Sequence, residues 1–202
     1  MRRLEGNVLL VATHNTGKLE EFRALLAPHR IMVQGSADHG LVEPTETEET
    51  YLGNARLKAH TAAITTGLPA LADDSGIEVE ALGGKPGVRT ADWAETPNGR
   101  DFLVAMTKTH DLLEEEGASH PRVASFCATL VLAWPDGQDA AFVGRVNGHL
   151  IWPPRGREGH GYDPIFVPDG HDRTFGEMSW DEKNRLSHRY KALKKFIEAV
   201  IA

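Results

Sequence analysis

Leu68-Pro69-Ala70-Leu71-Ala72-Asp73-Asp74-Ser75-Gly76-Ile77 is an apolar run that meets two adjacent carboxylates, then a serine and a glycine. It reads as a short buried strand ending in paired acids and a tight turn. Such a pair suits a divalent cation, because Mg²⁺ takes hard oxygen ligands, commonly one or two carboxylates together with substrate phosphates. A surface turn fits the same residues, since Asp, Ser and Gly favour turns for backbone reasons. The stretch alone leaves both readings open.

Upstream, Asn7–Thr13 is a short apolar run with the look of a buried strand, and Leu19–Ala27 reads as a helix with Leu19, Phe22, Leu25 and Leu26 on one face. Ile31–Gln34 is a second strand. Thr45 and Glu48 match a capping box, predicting a helix from there to about Thr65, with Leu52, Ala55, Ala59 and Ala62 at helical spacing. Downstream, Ile77–Leu82 alternates as a half-exposed strand, and Gly83–Gly87 is a tight loop. Asn98–Glu116 is read as helical. Arg122–Trp134 and Ala140–Ile151 flank the turn residues Pro135-Asp136-Gly137, which indicates a hairpin. Trp152–Pro168 is loop-rich. Ser179 and Glu182 form a second capping box, opening one C-terminal helix with Leu186, Leu193, Phe196, Ile197 and Val200 inward. Helix-flanked strands with one antiparallel hairpin make a mixed-sheet α/β protein, expected as a single domain over 1–202.

The chain has 202 residues and a formal net charge of −7, against a general nucleic-acid binder, which needs basic surface. A small anionic substrate is compatible, because clustered lysines build a local positive site on an acidic protein. The lone Cys127, in an apolar run, reads as a buried small residue, and the absence of a disulfide framework fits a reducing cytosol. The N-terminus lacks the pattern of a signal peptide, and no stretch approaches the roughly 20 apolar residues of a membrane span. A cytoplasmic protein is expected. The 10 histidines show no His-Glu-x-x-His pattern, and one cysteine rules out a thiolate zinc site.

Several segments carry chemistry. Thr13-His14-Asn15-Thr16-Gly17-Lys18 lies between a strand and a helix, where free N–H groups bind phosphate and a lysine adds charge. It is not a Walker A loop. A capped helix start explains the same residues. Glu43, Glu46, Glu48 and Glu49 precede or open a helix, where the dipole favours acids. Asn54 and Lys58, four apart, share a helix face. In Gly159-His160-Gly161-Tyr162-Asp163-Pro164, two glycines allow close backbone approach to a flat ligand. Tyr162 can stack on a base there, and Asp163 can accept from it. Lys183, Ser187, His188 and Arg189 place cations near a helix start, against the dipole, a local conflict that hints at function.

In this order, Thr13–Lys18, Asn54–Ala59, Ala72–Gly87, Gly161–Phe166 and Glu182–Arg189 resemble the inosine triphosphate pyrophosphatase family over nearly the whole chain. The resemblance implies an elongated mixed α/β sheet in two lobes with a central cleft, a homodimer, and Mg²⁺ as cofactor. It implies hydrolysis of deaminated purine nucleoside triphosphates (ITP, dITP, XTP) to the monophosphate and pyrophosphate, cleansing the nucleotide pool. Mapped residue by residue, Asp74 is the metal-holding proton acceptor, supported by Asp73. Glu46 is the second metal-side acid, with Glu43 or Glu49 as alternatives. Thr13, His14, Asn15, Thr16, Gly17, Lys18, Lys58, Ser75 and Lys183 hold the triphosphate; His160, Gly161, Tyr162, Asp163, His188 and Arg189 form the base pocket. Three positions depart from the pattern: His160 stands for a usual phenylalanine, Gly53 for a common glutamate, and Asp92 for an arginine that Arg89 partly replaces. Pyrophosphatase action on another modified nucleotide, or a silent nucleotide-binding protein, are the alternatives.

Overall fold

The acid pair lies inside a strand rather than at its end: Ala70–Val79 is one continuous strand of 10 residues, running straight through Asp73, Asp74, Ser75 and Gly76. The expected tight turn is absent, and the separate strand read over Ile77–Leu82 is its continuation, closed by a 3₁₀ turn at Glu80–Leu82. Turn-forming residues stay extended here because both faces of the strand are covered and its backbone is paired.

The structure is a computed structural model and describes residues 2–201. In chain order the elements are β1 (Val8–Val11), α1 (Thr16–Leu26), β2 (Met32–Gly35), α2 (Tyr51–Thr66), β3 (Ala70–Val79), β4 (Pro86–Gly87), β5 (Glu95–Thr96), β6 (Gly99–Arg100), α3 (Phe102–Glu115), β7 (Arg122–Ala133), β8 (Asp139–Leu150), β9 (Phe166–Pro168), α4 (Trp180–Leu186) and α5 (His188–Phe196). The main sheet has the order β2-β1-β3-β7-β8-β9, with β4 beside β3, while β5 and β6 pair separately. β1 runs parallel to β2 and β3; β3–β4 and β8–β9 are antiparallel, so the sheet is mixed. The α/β class read from the sequence is the observed one.

Contacts divide the chain into two compact units. The first takes the chain up to Asp74, Ala128–Val143 and the segment from Tyr190 onward; the second takes Ser75–Cys127 and Gly144–Arg189. In the first unit, strand alternation sends successive side chains to opposite faces. Leu9, Val11 and Leu71 pack with Phe22 and Leu26 of α1 and Leu193 and Phe196 of α5. Leu10, Ala12, Ala70 and Ala72 meet Ala55, Ala59, Ala62 and Ala63 of α2. Helices on both faces explain why these strands are continuously apolar. Each fully buried Leu or Phe contributes about 1.5–3 kcal/mol. The second unit has its own core, in which Phe126 lies 4.7 Å edge-on to Phe166.

Two helix boundaries differ from the expected ones. α2 starts after Thr50, whose hydroxyl accepts the Gly53 N–H at 3.0 Å, and no box forms at Thr45. The Glu48 N–H, which a Thr45 cap requires, is bonded instead to Asn54 Oδ1 at 3.0 Å. The C-terminal helix is two helices: Ser179 caps α4 as expected, but Ser187 is extended (ψ 152°) and separates α4 from α5. α3 begins after Asp101, because Gly99 and Arg100, in the segment read as its first turn, pair with Thr96 and Glu95 across a small hairpin.

Candidate active site

Because Asp73 and Asp74 are consecutive in a strand, their side chains leave on opposite faces. Asp73 shares its face with Leu71 and meets α1: Lys18 Nζ lies 3.0 Å from Oδ2 and 3.2 Å from Oδ1. Asp74 shares its face with Ala72 and meets α2: Asn54 Nδ2 donates to Oδ2 at 3.1 Å, and Lys58 Nζ stands 4.0 Å from Oδ1. Both acids are buried, at 2% and 6% exposure. Burial pushes the Asp74 carboxyl up to about 6; Lys58 opposes this and Glu46 adds to it.

Lys58 is buried as well, and donates to Glu46 Oε1 at 2.6 Å. Burial works against its charge, but Asp73, Asp74 and Glu46 together outweigh that and raise its pKa. Of the glutamates left open by the sequence, Glu46 is the one whose carboxylate reaches Lys58. Glu43 lines a small pocket with His14, Ser36 and Lys58, and Glu49 is exposed. The turn into α1 is held by Asn15, whose Oδ1 accepts the Lys18 N–H at 3.0 Å and whose own N–H donates to Thr13 Oγ1 at 3.2 Å. His14, Thr16 and Gly17 are exposed beside it, and no acid occupies the helix's first turn, an arrangement suited to an anion.

The Gly-rich segment behaves differently from its expected stacking role. Tyr162 is 0% exposed; its hydroxyl bonds Thr109 Oγ1 at 3.0 Å and donates to the Ala105 carbonyl at 3.2 Å. Burial pushes its phenol up to about 12. Its ring is core, so it offers no face to a base. Asp163 accepts the His160 N–H at 2.5 Å and pairs with the Lys183 ammonium. Burial pushes its carboxyl up, against the pull of Lys183. Asp163 and Lys183, read as base and phosphate groups, thus hold each other. Gly159, at φ +79°, makes room for this, since a Cβ there would stand 2.1 Å from Asp163 Oδ2. The ring of His160 is exposed and lies edge-on to Phe102 at 4.9 Å. His188 is buried and stacks on Phe126 at 5.0 Å, and Arg189 Nη2 donates to Ser75 Oγ at 3.3 Å. Arg89 faces Asp92 at 3.2 Å, so its guanidinium answers that acid.

The profile of the Ham1 family matches residues 9–199. The chain belongs to the Ham1 family. It is 61% identical over 197 residues to a dITP/XTP pyrophosphatase of Ruegeria pomeroyi, covering 98% of this chain and 97% of that one. With a dITP/XTP pyrophosphatase of Agrobacterium fabrum it shares 50% identity over 212 residues, covering 100% and 99%. Among solved structures, a HAM1 protein from Coxiella burnetii superposes with a TM-score of 0.88 at 34% identity, covering 95% of this chain and 96% of that one.

For a metal, the donor set of this Ham1-family chain is two carboxylates, Asp74 and Glu46, around the Lys58 ammonium; among the described residues no three His, Cys, Asp or Glu side chains gather. Two carboxylate oxygens with the remaining positions left to water and phosphate is the pattern of Mg²⁺ rather than of an all-protein cage, and a buried carboxyl raised to about 6 gains from a cation, so the residues fit. Sequence reasoning noted Asn54 without giving it a role at the site, and passed over Phe102. Asn54 was visible through its i,i+4 relation to Lys58, but its bond to Asp74 was not. Phe102, beside His160, carried no sequence signal.

Proposed function

We propose that the chain hydrolyses the triphosphates of deaminated purines, ITP, dITP and XTP, to the nucleoside monophosphate and pyrophosphate. The observation that carries this is the Asp74–Lys58–Glu46 constellation, a buried acid of β3 and a buried lysine of α2 met by an exposed glutamate from the segment before α2, in a chain 61% identical to a dITP/XTP pyrophosphatase. Water adds to the α-phosphorus and the bond to the β-phosphate oxygen breaks, so pyrophosphate leaves. Asp74 receives the proton of the attacking water. Lys58 and Lys18 neutralise phosphate charge, and the N–H groups and hydroxyls of Thr13–Gly17 orient phosphate oxygens. Ser75 and Lys183 complete the triphosphate contacts. Mg²⁺ is the proposed cofactor: Asp74 and Glu46 would hold it, and it would supply charge neutralisation at the phosphate oxygens. His160, Gly161, the Asp163 segment, His188 and Arg189 hold the base. The buried Tyr162 contributes its backbone position rather than its ring. Donors aimed at the six-position oxo group reject adenine, whose amino group leaves them unpaired. A homodimer in the cytoplasm completes the reading.

The test is product identity. Purified protein with Mg²⁺ and ITP or dITP releases pyrophosphate, with ATP turned over far more slowly; orthophosphate as first product excludes the mechanism. Asp74→Asn loses about 10²-fold or more in kcat, the usual loss for a general base, while circular dichroism shows a folded chain.

A further inference from the structure

A carboxylate that accepts a proton acts through one of its two oxygens, and something has to choose which. In this chain the choice traces back through Asn54. Asp74 Oδ2 accepts from Asn54 Nδ2 at 3.1 Å, and Asn54 Oδ1 accepts the Glu48 N–H at 3.0 Å. A backbone N–H only donates and an ionised carboxylate only accepts, so a single orientation of the amide satisfies both ends. Asn54 is 2% exposed, which makes the reversed orientation costly. With Oδ2 held this way, Oδ1 of Asp74 is the oxygen turned toward Lys58, at 4.0 Å.

The Glu48 N–H reaches Asn54 because the segment before α2 folds back over the helix's first turn. Gly53 is where it crosses. A Cβ on Gly53 would stand 2.6 Å from Glu48 Cβ, 2.8 Å from its Cγ and 3.0 Å from Oε2. Gly53 lies within α2 with an ordinary helical backbone, so the position needs glycine for space and not for conformational freedom. The same segment carries Glu46, two residues earlier and bonded to Lys58 at 2.6 Å. A side chain at 53 therefore disturbs both the anchor of Asn54 and the approach of Glu46.

We propose that Asn54 is a positioning residue for the Asp74 carboxylate, oriented by the Glu48 backbone, and that Gly53 is the gap that permits it. This rests on the hydrolytic reading above. In Mg²⁺ and dITP, Asn54→Ala and Gly53→Ala each lower kcat about tenfold or more, the scale of one hydrogen bond to a charged group, with KM shifted by less than about threefold. Adding Glu48→Gly to Gly53→Ala removes the obstructing side chain, keeps the N–H, and restores kcat to within about threefold of the parent. In parallel, NMR follows the Asn54 side-chain amide: its protons exchange slowly in the parent, rapidly in Gly53→Ala, and slowly again in the double variant. An unchanged kcat in Asn54→Ala, or a folded double variant with no recovery in either rate or exchange, overturns the proposal. If the parent itself releases no pyrophosphate, the hydrolytic reading fails, and the amide exchange series still decides whether Gly53 and Glu48 set Asn54.

Discussion

Asp73 and Asp74 touch in sequence and take different hydrogen-bond partners, Lys18 on one face of β3 and Asn54 on the other. Alternation along a strand gives the two carboxylates these separate hydrogen-bond partners, while both act through charge on Lys58. Tyr162 shows the opposite case, a residue whose chemistry suggested a ligand contact and whose environment makes it core. Replacing Tyr162 by Phe removes a hydroxyl bonded to Thr109 and Ala105. That change is expected to cost about 1 kcal/mol in urea unfolding and to leave the nucleotide KM unchanged. A ring stacking on the base from the surface gives the reverse, with stability kept and KM altered. Cys127 is buried as its apolar setting suggested, and burial, with Glu78 adding, pushes its thiol up to about 12.

At the scale of elements, the loop from Gly159 to Asp163 is built around one buried carboxylate. Asp163 ties the His160 N–H to the Lys183 ammonium on α4, joining a turn to a helix far away in sequence. Gly159 is positive in φ and lies against that carboxylate, so Gly159→Ala meets both backbone strain and a collision. It is expected to lose at least about 1–2 kcal/mol in thermal unfolding and, through the displaced Lys183, to raise the nucleotide KM more than it lowers kcat. Equal falls in kcat and kcat/KM argue that Lys183 acts in the transition state instead. The helices show why motif and boundary separate. Ser179 caps α4 as its sequence says, whereas Thr45 does not cap α2, because Asn54 competes for the N–H that the cap requires.

In the whole molecule, the first unit is fastened between α2 and the start of β8 by Asp139, which takes Arg56 at 3.0 and 3.2 Å and His60 at 3.0 Å. Burial pushes the Asp139 carboxyl up, but the His60 and Arg56 hydrogen bonds outweigh it and hold the carboxyl below its ordinary value of 3.8. The native state therefore binds this proton less readily than the unfolded chain. Its stabilisation is present above the unfolded value and is lost as pH falls through the lower folded one. Denaturation of Asp139→Asn is expected to show a deficit against the parent at pH 7 that shrinks as the pH drops below about 4, where both carry a neutral group. A deficit that stays constant with pH shows that packing, not charge, is what Asp139 supplies.

The α/β class, the hairpin of β7 and β8, the cap of α4 and the family were legible in the chain itself. They rest on local properties: apolar periodicity, turn residues, and motifs whose order survives in one dimension. Residue type offered the acid pair, the glutamates before α2 and Lys58 as candidates, and the family resemblance singled out Asp74 and Glu46 among them. What the tertiary structure alone decided is which groups meet. It ran β3 through the acids, sent Asp73 and Asp74 to opposite faces, buried Tyr162, turned Asp163 and Lys183 toward each other, and brought the Glu48 N–H to Asn54. Each of these depends on desolvation and on partners distant along the chain or brought together by a fold-back, and the cost of a buried polar group is set by the company it finds there.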